Sequence, residues 1–220
     1  MSKPSTWTRL ATAAFIALAV ISGDPADTSA QGRGGRGGIR IMTLTSPSFQ
    51  DGGVIPEKHA QQGRDVSPAL SWTGAPDSTV SYALIVHDAD AVTGDGTTDT
   101  MHWMVWGIPG NLSALPEGLP QGPTIPSLSP PPPPGGGRGG GGGGGVRQLS
   151  VSGPYYRGPA APASGSPHHY IFELYALDAN INVQAAGQQT LPTREAVWDA
   201  MKTHIRGKAV LVGLYRRPAP

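Results

Sequence analysis

Residues 81–90 read Ser81-Tyr-Ala-Leu-Ile-Val-His-Asp-Ala-Asp90, a run of strand-forming side chains that ends with two carboxylates. Tyr, Ile and Val are enriched in β-strands, and successive side chains of a strand point to opposite faces. Tyr82, Leu84 and Val86 therefore share one face, and Asp88 continues it. The pattern predicts a buried strand with a carboxylate at the mouth of an apolar stripe.

Four further segments have the composition of strands and lie between stretches rich in turn residues. They are residues 39–45, 101–108, 170–177 and 209–215. One helix is predicted over residues 194–205, with Thr193 as its N-cap and Gly207 beyond its end. We therefore predict an all-β dominated fold, a sandwich of antiparallel or mixed sheets with one or two short peripheral helices.

The composition limits the classes of function that are open to the chain. Its 220 residues suit one domain, and a formal net charge of +1 provides no long-range field that would attract nucleic acid. The absence of cysteine excludes disulfides, thiolate catalysis and cysteine-ligated zinc. The sequence predicts no cofactor and assigns no metal ligands.

The first 38 residues and one internal segment differ in composition from the rest. Residues 1–30 carry two basic residues, an apolar run of about a dozen residues and a small-residue end, the pattern of a cleaved secretory signal. The run is shorter than the roughly 20 residues that span a bilayer, so we expect an exported chain, periplasmic or secreted, without a stable membrane span. Residues 31–38 are a Gly/Arg leader, and a Pro/Gly insert at about 127–147 is expected to be disordered.

Polar clusters lie at the ends of three predicted strands, where loops on a rigid scaffold assemble binding sites. The first is residues 87–90, the second is His102, and the third is residues 166–170, which include His168 and Tyr170. By strand parity, His168 and Tyr170 share a face with the apolar residues that follow them, and His102 shares a face with Met104 and Trp106. A histidine in a strand is often structural, so each cluster alone leaves the choice between a structural and a binding role open.

The clusters fall within four motifs that resemble the phosphatidylethanolamine-binding protein family, in the family's order. Residues 88–92, Asp-Ala-Asp-Ala-Val, resemble its Asp-Pro-Asp-Ala-Pro box, and residues 101–109 resemble its His-Trp-x-Val-x-Asn-Ile-Pro strand. Residues 158–170 resemble the Gly-Pro-x-x-Pro to His-x-Tyr signature, and residues 65–72 resemble the early Ser-Pro-x-Leu-x-Trp segment. The resemblance covers residues 39–217 and is greatest to the bacterial Raf-kinase-inhibitor-like branch.

The resemblance implies a β-sandwich with an anion pocket. Ala89 and Val92 replace the two prolines of the acidic box, so this loop is expected to be less rigid than in the family. Carried over by motif, the ligand-binding residues would be Asp88, Asp90, His102, His168 and Tyr170, with Trp103 and Pro159 nearby.

Reversible binding of a small anionic ligand, such as a phospholipid headgroup, follows as the predicted function. Histidine and tyrosine side chains can donate hydrogen bonds to phosphate or carboxylate oxygens. Nearby carboxylates are expected to keep the imidazoles protonated, so affinity should weaken as pH rises. Two alternatives remain: an inhibitor or partner-binding module for a protease or kinase, and a hydrolase of phosphate esters, for which no catalytic residue is assigned. The identity of any protein partner and the oligomeric state stay open.

Overall fold

The structure, a computed structural model, describes residues 38–93, 96–129, 145–185 and 190–219. The predicted signal segment and all but the last residue of the leader lie outside the described residues. In the described part the strands are β1 Arg40–Ile41, β2 Thr43–Thr45, β3 Gly53–Val54, β4 Leu70–Thr73, β5 Ser81–Thr93, β6 Thr98–Pro109, β7 Ala114–Leu115, β8 Arg147–Leu149, β9 His168–Leu177 and β10 Ile205–Tyr215. One α-helix, α1, spans Thr190–Met201, and 3₁₀ turns lie at Glu57–His59 and Pro126–Leu128.

Two sheets form the sandwich. The larger has the order β1-β10-β9-β5-β6-β8, with β3 also pairing with β10, and the smaller has the order β2-β4-β7. Strands β1 and β3 run parallel to β10, whereas the other pairs are antiparallel. The mixed, strand-dominated sandwich with one short helix confirms the predicted fold class.

Apolar side chains fill both sides of the larger sheet. Its inner face packs against the smaller sheet, for example where the Trp72 and Tyr82 rings meet edge to face at 5.1 Å. On the outer face, Val197 and Met201 of α1 pack in a second cluster with Trp106. The central strands are therefore buried on both faces, which holds rigid the strand ends that carry the polar clusters.

Two predicted boundaries are wrong. The segment 39–45, predicted as one strand, is two strands that join different sheets, and Ile41, the last residue of β1, is 91% exposed. The helix begins at Thr190, so Thr193 is a buried helical residue and not the N-cap, and Gly207 lies in β10. Pro192, which the prediction placed just before the helix, lies in its first turn. Proline is tolerated there because its missing N–H is not needed. The left-handed backbone of Thr203 (φ 71°) follows the helix end, and β10 begins at Ile205.

A bulge in β6 changes the predicted direction of His102. Val86 of β5 pairs with Trp103 and His87 pairs with Met101, so His102 is an extra residue without a direct partner on β5. Met104 and Trp106 lie on the outer face, whereas His102 contacts Tyr170, which belongs to the inner cluster. The prediction that His102 shares a face with Met104 and Trp106 is therefore wrong.

The flanks of the predicted Pro/Gly insert belong to the folded domain. The backbone N–H of Ile125 donates to the carbonyl of Val146 at 2.8 Å, and the N–H of Val146 donates to Ser129 Oγ at 3.1 Å. Residues 130–144 lie outside the described residues. The described residues on the two sides of this gap, Ser129 and Val146, are therefore in contact.

Candidate ligand-binding site

Asp88 and His168 form the centre of the site because the register of β5 and β9 brings their ends together. Asp88 pairs directly with Tyr170 in the antiparallel ladder, and His168 lies two residues before Tyr170 on the same face. The Nδ1 atom of His168 lies 2.9 Å from Asp88 Oδ2, and the backbone N–H of Asp90 donates to Asp88 Oδ1 at 3.0 Å. The carboxylate is only 3% exposed, so these hydrogen bonds offset the cost of burying its charge.

The hydroxyl of Tyr170 holds the loop that closes the site. It accepts hydrogen bonds from the backbone N–H groups of Ala160 and Ala161, at 3.1 and 3.2 Å. Burial and the nearby Asp88 carboxylate raise the pKa of Tyr170, so the phenol stays protonated. These two bonds use the lone pairs of the oxygen and leave its O–H able to donate, so donation from this hydroxyl to a ligand stays a prediction.

His102 is held neutral beside this pair. Burial lowers the pKa of His102, and its Nδ1–H donates to the backbone carbonyl of Arg157 at 2.8 Å. Its ring packs edge to face on Tyr170 with 5.0 Å between the centroids. The expectation that carboxylates keep both imidazoles protonated is therefore wrong for His102, because desolvation outweighs the attraction to Asp88.

The loop of residues 157–161 is anchored from the other side by residues 59–65. A Cβ on Gly158 would lie 2.1 Å from the carbonyl oxygen of His59, so only glycine fits at this close approach. The N–H of Gly158 donates to Asp65 Oδ1 at 2.9 Å, and its carbonyl accepts from Gln61 Nε2 at 2.8 Å. The loop is thereby fixed against the ends of β5, β6 and β9.

These elements enclose a pocket of about 420 Å³. Its charged and hydrogen-bonding members are Asp88, His102, His168, Tyr170, Thr100, Gln61 and Arg157, and its apolar members are Ala91, Val151, Ala160, Ala161 and Pro162. A half-apolar pocket with a few convergent polar groups is the usual form of a small-ligand site. The sequence analysis missed Gln61 and Arg157. A basic residue directly before the Gly158–Pro159 pair was the available signal for Arg157.

Comparison with known proteins places this chain in a family. The model of the phosphatidylethanolamine-binding protein family matches residues 45–216. The chain belongs to the phosphatidylethanolamine-binding protein family. A UPF0098 protein of Methanothermobacter thermautotrophicus is 34% identical over 177 residues, which cover 80% of this chain and 99% of that protein. A UPF0098 protein of Aquifex aeolicus is 31% identical, with 82% and 91% covered.

Solved structures agree with this assignment. A phosphatidylethanolamine-binding protein homologue from Chlamydia trachomatis has 30% identity and a TM-score of 0.59, over 81% of this chain and 99% of that chain. YBCL of E. coli shares the fold, with 23% identity and a TM-score of 0.60 over 80% of this chain and 98% of that chain. These relatives are consistent with the bacterial branch that the motifs indicated, and the family supports a ligand-binding role.

Three of the predicted binding residues of this phosphatidylethanolamine-binding family member lie off the pocket wall. Asp90 is exposed, and its carboxylate accepts from the backbone N–H of His169 at 2.6 Å. Trp103 is fully buried in the inner cluster, where its indole N–H donates to Gln148 Oε1 at 2.9 Å. Pro159 is a buried residue of the loop itself, and its carbonyl accepts from the N–H of Gln61 at 3.0 Å. The structure brings together Asp88, His102, His168 and Tyr170.

No three His, Asp or Glu side chains in the described ranges are grouped so that they could hold a metal ion. Among those same residues, none of the helices has the length and apolar character needed to cross a membrane.

Proposed function

We propose that this chain reversibly binds a small anionic ligand, bearing a phosphate or carboxylate group like that of a phospholipid headgroup, in the pocket around His168. The Asp88–His168 hydrogen bond of 2.9 Å is the observation that supports this proposal. It fixes the imidazole with Nδ1 on the carboxylate. Among the described residues, Nε2 of His168 has no hydrogen-bond partner, so this atom is free to meet a ligand in the pocket.

The protonation state of His168 decides what Nε2 can do. When Nδ1–H donates to Asp88, Nε2 donates only in the imidazolium form. An anion at Nε2 can accept a hydrogen bond only when this nitrogen carries a proton. Binding should therefore weaken as pH rises and the imidazolium form is lost.

Calorimetry on His168→Ala tests the proposal. Inorganic phosphate and phosphoethanolamine are titrated into the wild type and the variant, and a lost charge-assisted hydrogen bond of roughly 1.5–3 kcal/mol predicts at least a tenfold weaker affinity. His169→Ala is the matched control, because His169 is the next residue on β9 and faces the exposed side with Asp90. Equal affinities for the wild type and His168→Ala would refute the proposal.

Hydrolysis of phosphate esters is a second candidate because an Asp–His pair also orients a general base. Thr100 on the pocket wall carries an aliphatic hydroxyl, a group that could serve as a nucleophile. This hydroxyl donates to the carbonyl of Ala91 at 3.1 Å. Turnover of a chromogenic phosphate ester, with and without added zinc, distinguishes catalysis from binding alone. Inhibition of a protease or kinase and export stay predictions from the sequence, and the identity of any protein partner stays open.

A further inference from the structure

Arg157 is a cation on the pocket wall. It was not among the binding residues predicted from the sequence. It is half-buried and lines the same pocket as Asp88 and His168. Its Nη2 group donates to Gln61 Oε1 at 2.8 Å. Within the described residues its guanidinium has no carboxylate partner at ion-pair distance.

Arg147, also half-buried, bonds to the side-chain oxygen of Asn182 and the carbonyl of Val183. Two other cations, in contrast, each have a carboxylate partner. Arg194 lies 2.5 Å from a carboxylate oxygen of Asp99, and Lys208 lies 2.6 Å from one of Glu173. A guanidinium carries five N–H donors in a planar fork that fits phosphate and carboxylate oxygens. Arg157 uses one of them on a neutral amide, so the remaining donors are open to an anion in the pocket.

The position of Arg157 is set before any ligand arrives. Its backbone N–H donates to the carbonyl of His102 at 3.0 Å, and its own carbonyl accepts from the ring of His102 at 2.8 Å. Gln61 holds the side chain with its amide oxygen and holds the carbonyl of Gly158 with its amide nitrogen, at 2.8 Å. A cation held in this way loses little conformational freedom when it binds an anion.

We infer that Arg157, positioned by Gln61, is a second anion-binding residue of the pocket and selects phosphate-bearing ligands over monocarboxylates. This inference rests on the proposed function. A phosphate monoester has three terminal oxygens, enough for the guanidinium fork and for Nε2 of His168 at once. On a monocarboxylate the fork would engage both oxygens, so Nε2 of His168 would have to share one of them with the guanidinium.

Substitution of Arg157 separates this inference from the proposed function. Inorganic phosphate, phosphoethanolamine and acetate are titrated into the wild type, Arg157→Gln, Arg157→Lys, His168→Ala and Arg147→Gln, a control arginine on β8 that is not part of the pocket wall. Arg157→Gln is expected to bind both phosphate compounds roughly ten- to a hundredfold more weakly, with a smaller loss for acetate. Arg157→Lys should retain part of the affinity because it keeps the charge without the fork.

A second variant keeps the inference testable if Arg157→Gln does not fold. Gln61→Glu leaves Arg157 in place but gives its guanidinium an internal carboxylate, so it should also lose at least tenfold in phosphate affinity. Flotation with phosphatidylethanolamine vesicles shows whether the phosphate group is recognised free or on a lipid; either source fits the inference.

Three results would overturn the inference. In the first, phosphate affinity is unchanged in Arg157→Gln or Gln61→Glu but is lost in His168→Ala. Arg157 would then not bind the anion, and the proposed function would stand. An equal loss in Arg147→Gln would show a general effect of charge. If the wild type binds none of the three anions, the proposed function fails and the inference fails with it.

Discussion

The hydroxyl of Tyr170 belongs to the architecture of the pocket more than to its ligand chemistry. Its oxygen accepts from two backbone N–H groups of the closing loop, and it neighbours the buried carboxylate of Asp88. A residue that family motifs mark as a binding residue thus stabilises the loop that carries Arg157. Its role can be tested apart from that of His168.

Tyr170→Phe should lower stability more than it lowers ligand affinity. The substitution leaves the N–H groups of Ala160 and Ala161 without their acceptor, which costs about 1–3 kcal/mol of unfolding free energy. Urea unfolding measures this loss, and phosphate titration of the folded variant should give an affinity within roughly threefold of the wild type, a difference under 1 kcal/mol.

Tyr175→Phe is the control for this substitution. Its hydroxyl donates to Glu173 at 2.9 Å on the outer face of the same strand, away from the pocket. Phosphate affinity that falls tenfold in Tyr170→Phe, at unchanged stability, would show instead that the hydroxyl contacts the ligand directly.

At the scale of the element, long strands were predictable and bulges were not. Strands β5, β9 and β10 were anticipated because long alternating or apolar runs fix both the strand and its faces. The alternation of side chains along a strand correctly predicted the sheet face on which Asp88 and Tyr170 lie. Parity failed at His102 because a bulge adds one residue without a sequence signature of its own.

The short elements were beyond the reach of the sequence for a related reason. Strands β1, β3 and β7 have two residues each, too few to show a period. Arg157 and Gln61 lie on loops, where a charged residue is ordinary and only the fold reveals what it faces. The sequence therefore predicted four of the pocket's strand residues, and it missed Ala91 and Thr100 on the strands as well as the residues that the loops supply.

Gly107 allows a second bulge in β6 that can be tested directly. Tyr82 pairs with Ile108 and Ala83 pairs with Trp106, so Gly107 is the extra residue, with φ 73°. Alanine in this left-handed conformation costs about 1–2 kcal/mol, and we expect Gly107→Ala to lose that much unfolding free energy in urea. Gly38→Ala, at a glycine with open space around it, is the control. A Gly107→Ala variant as stable as the wild type would contradict this assignment of strain.

On the scale of the whole molecule, a network of charges on the outer face connects β5, β6, β9, β10 and α1. His87 of β5 bonds to Asp99 through Nδ1, and its Nε2 lies 3.6 Å from Glu173. Arg194 of α1 lies on the other oxygen of Asp99, and Lys208 of β10 lies on Glu173. Protonated His87 therefore sits between two carboxylates that are themselves fixed by cations.

The network makes stability depend on pH in a direction that can be worked out. Burial alone would lower the pKa of His87, but its hydrogen bond to Asp99 and the nearby carboxylate of Glu173 raise it to about 9. A histidine with a raised pKa stabilises the fold fully below its unfolded value of about 6.5, and that contribution is lost as pH rises to about 9. The pKa values of His59 and His102, which burial lowers, act in the opposite sense, because these rings resist protonation as pH falls below 6.5.

The free energy of unfolding should therefore pass through a maximum near pH 6.5 and fall on both sides. On the alkaline side the loss between pH 6.5 and 9 is at most about 3 kcal/mol, since one pKa unit corresponds to about 1.36 kcal/mol. On the acid side the loss steepens below pH 4.5, because interactions with His87 and cations lower the pKa of both Asp99 and Glu173 to about 2 against the effect of burial.

Urea unfolding from pH 4 to 9.5 on the wild type and His87→Gln isolates the alkaline limb. The variant is expected to be less stable at pH 6.5, because it leaves two carboxylates near each other without the cation between them. Its stability should nevertheless stay nearly constant up to pH 9, where the wild type declines. His204→Gln removes an exposed histidine that pairs with Asp178 and should keep the wild-type slope. We expect His87 to be the group that loses its proton in this range. If the unfolding free energy of His87→Gln still falls between pH 6.5 and 9, another group must cause the pH dependence.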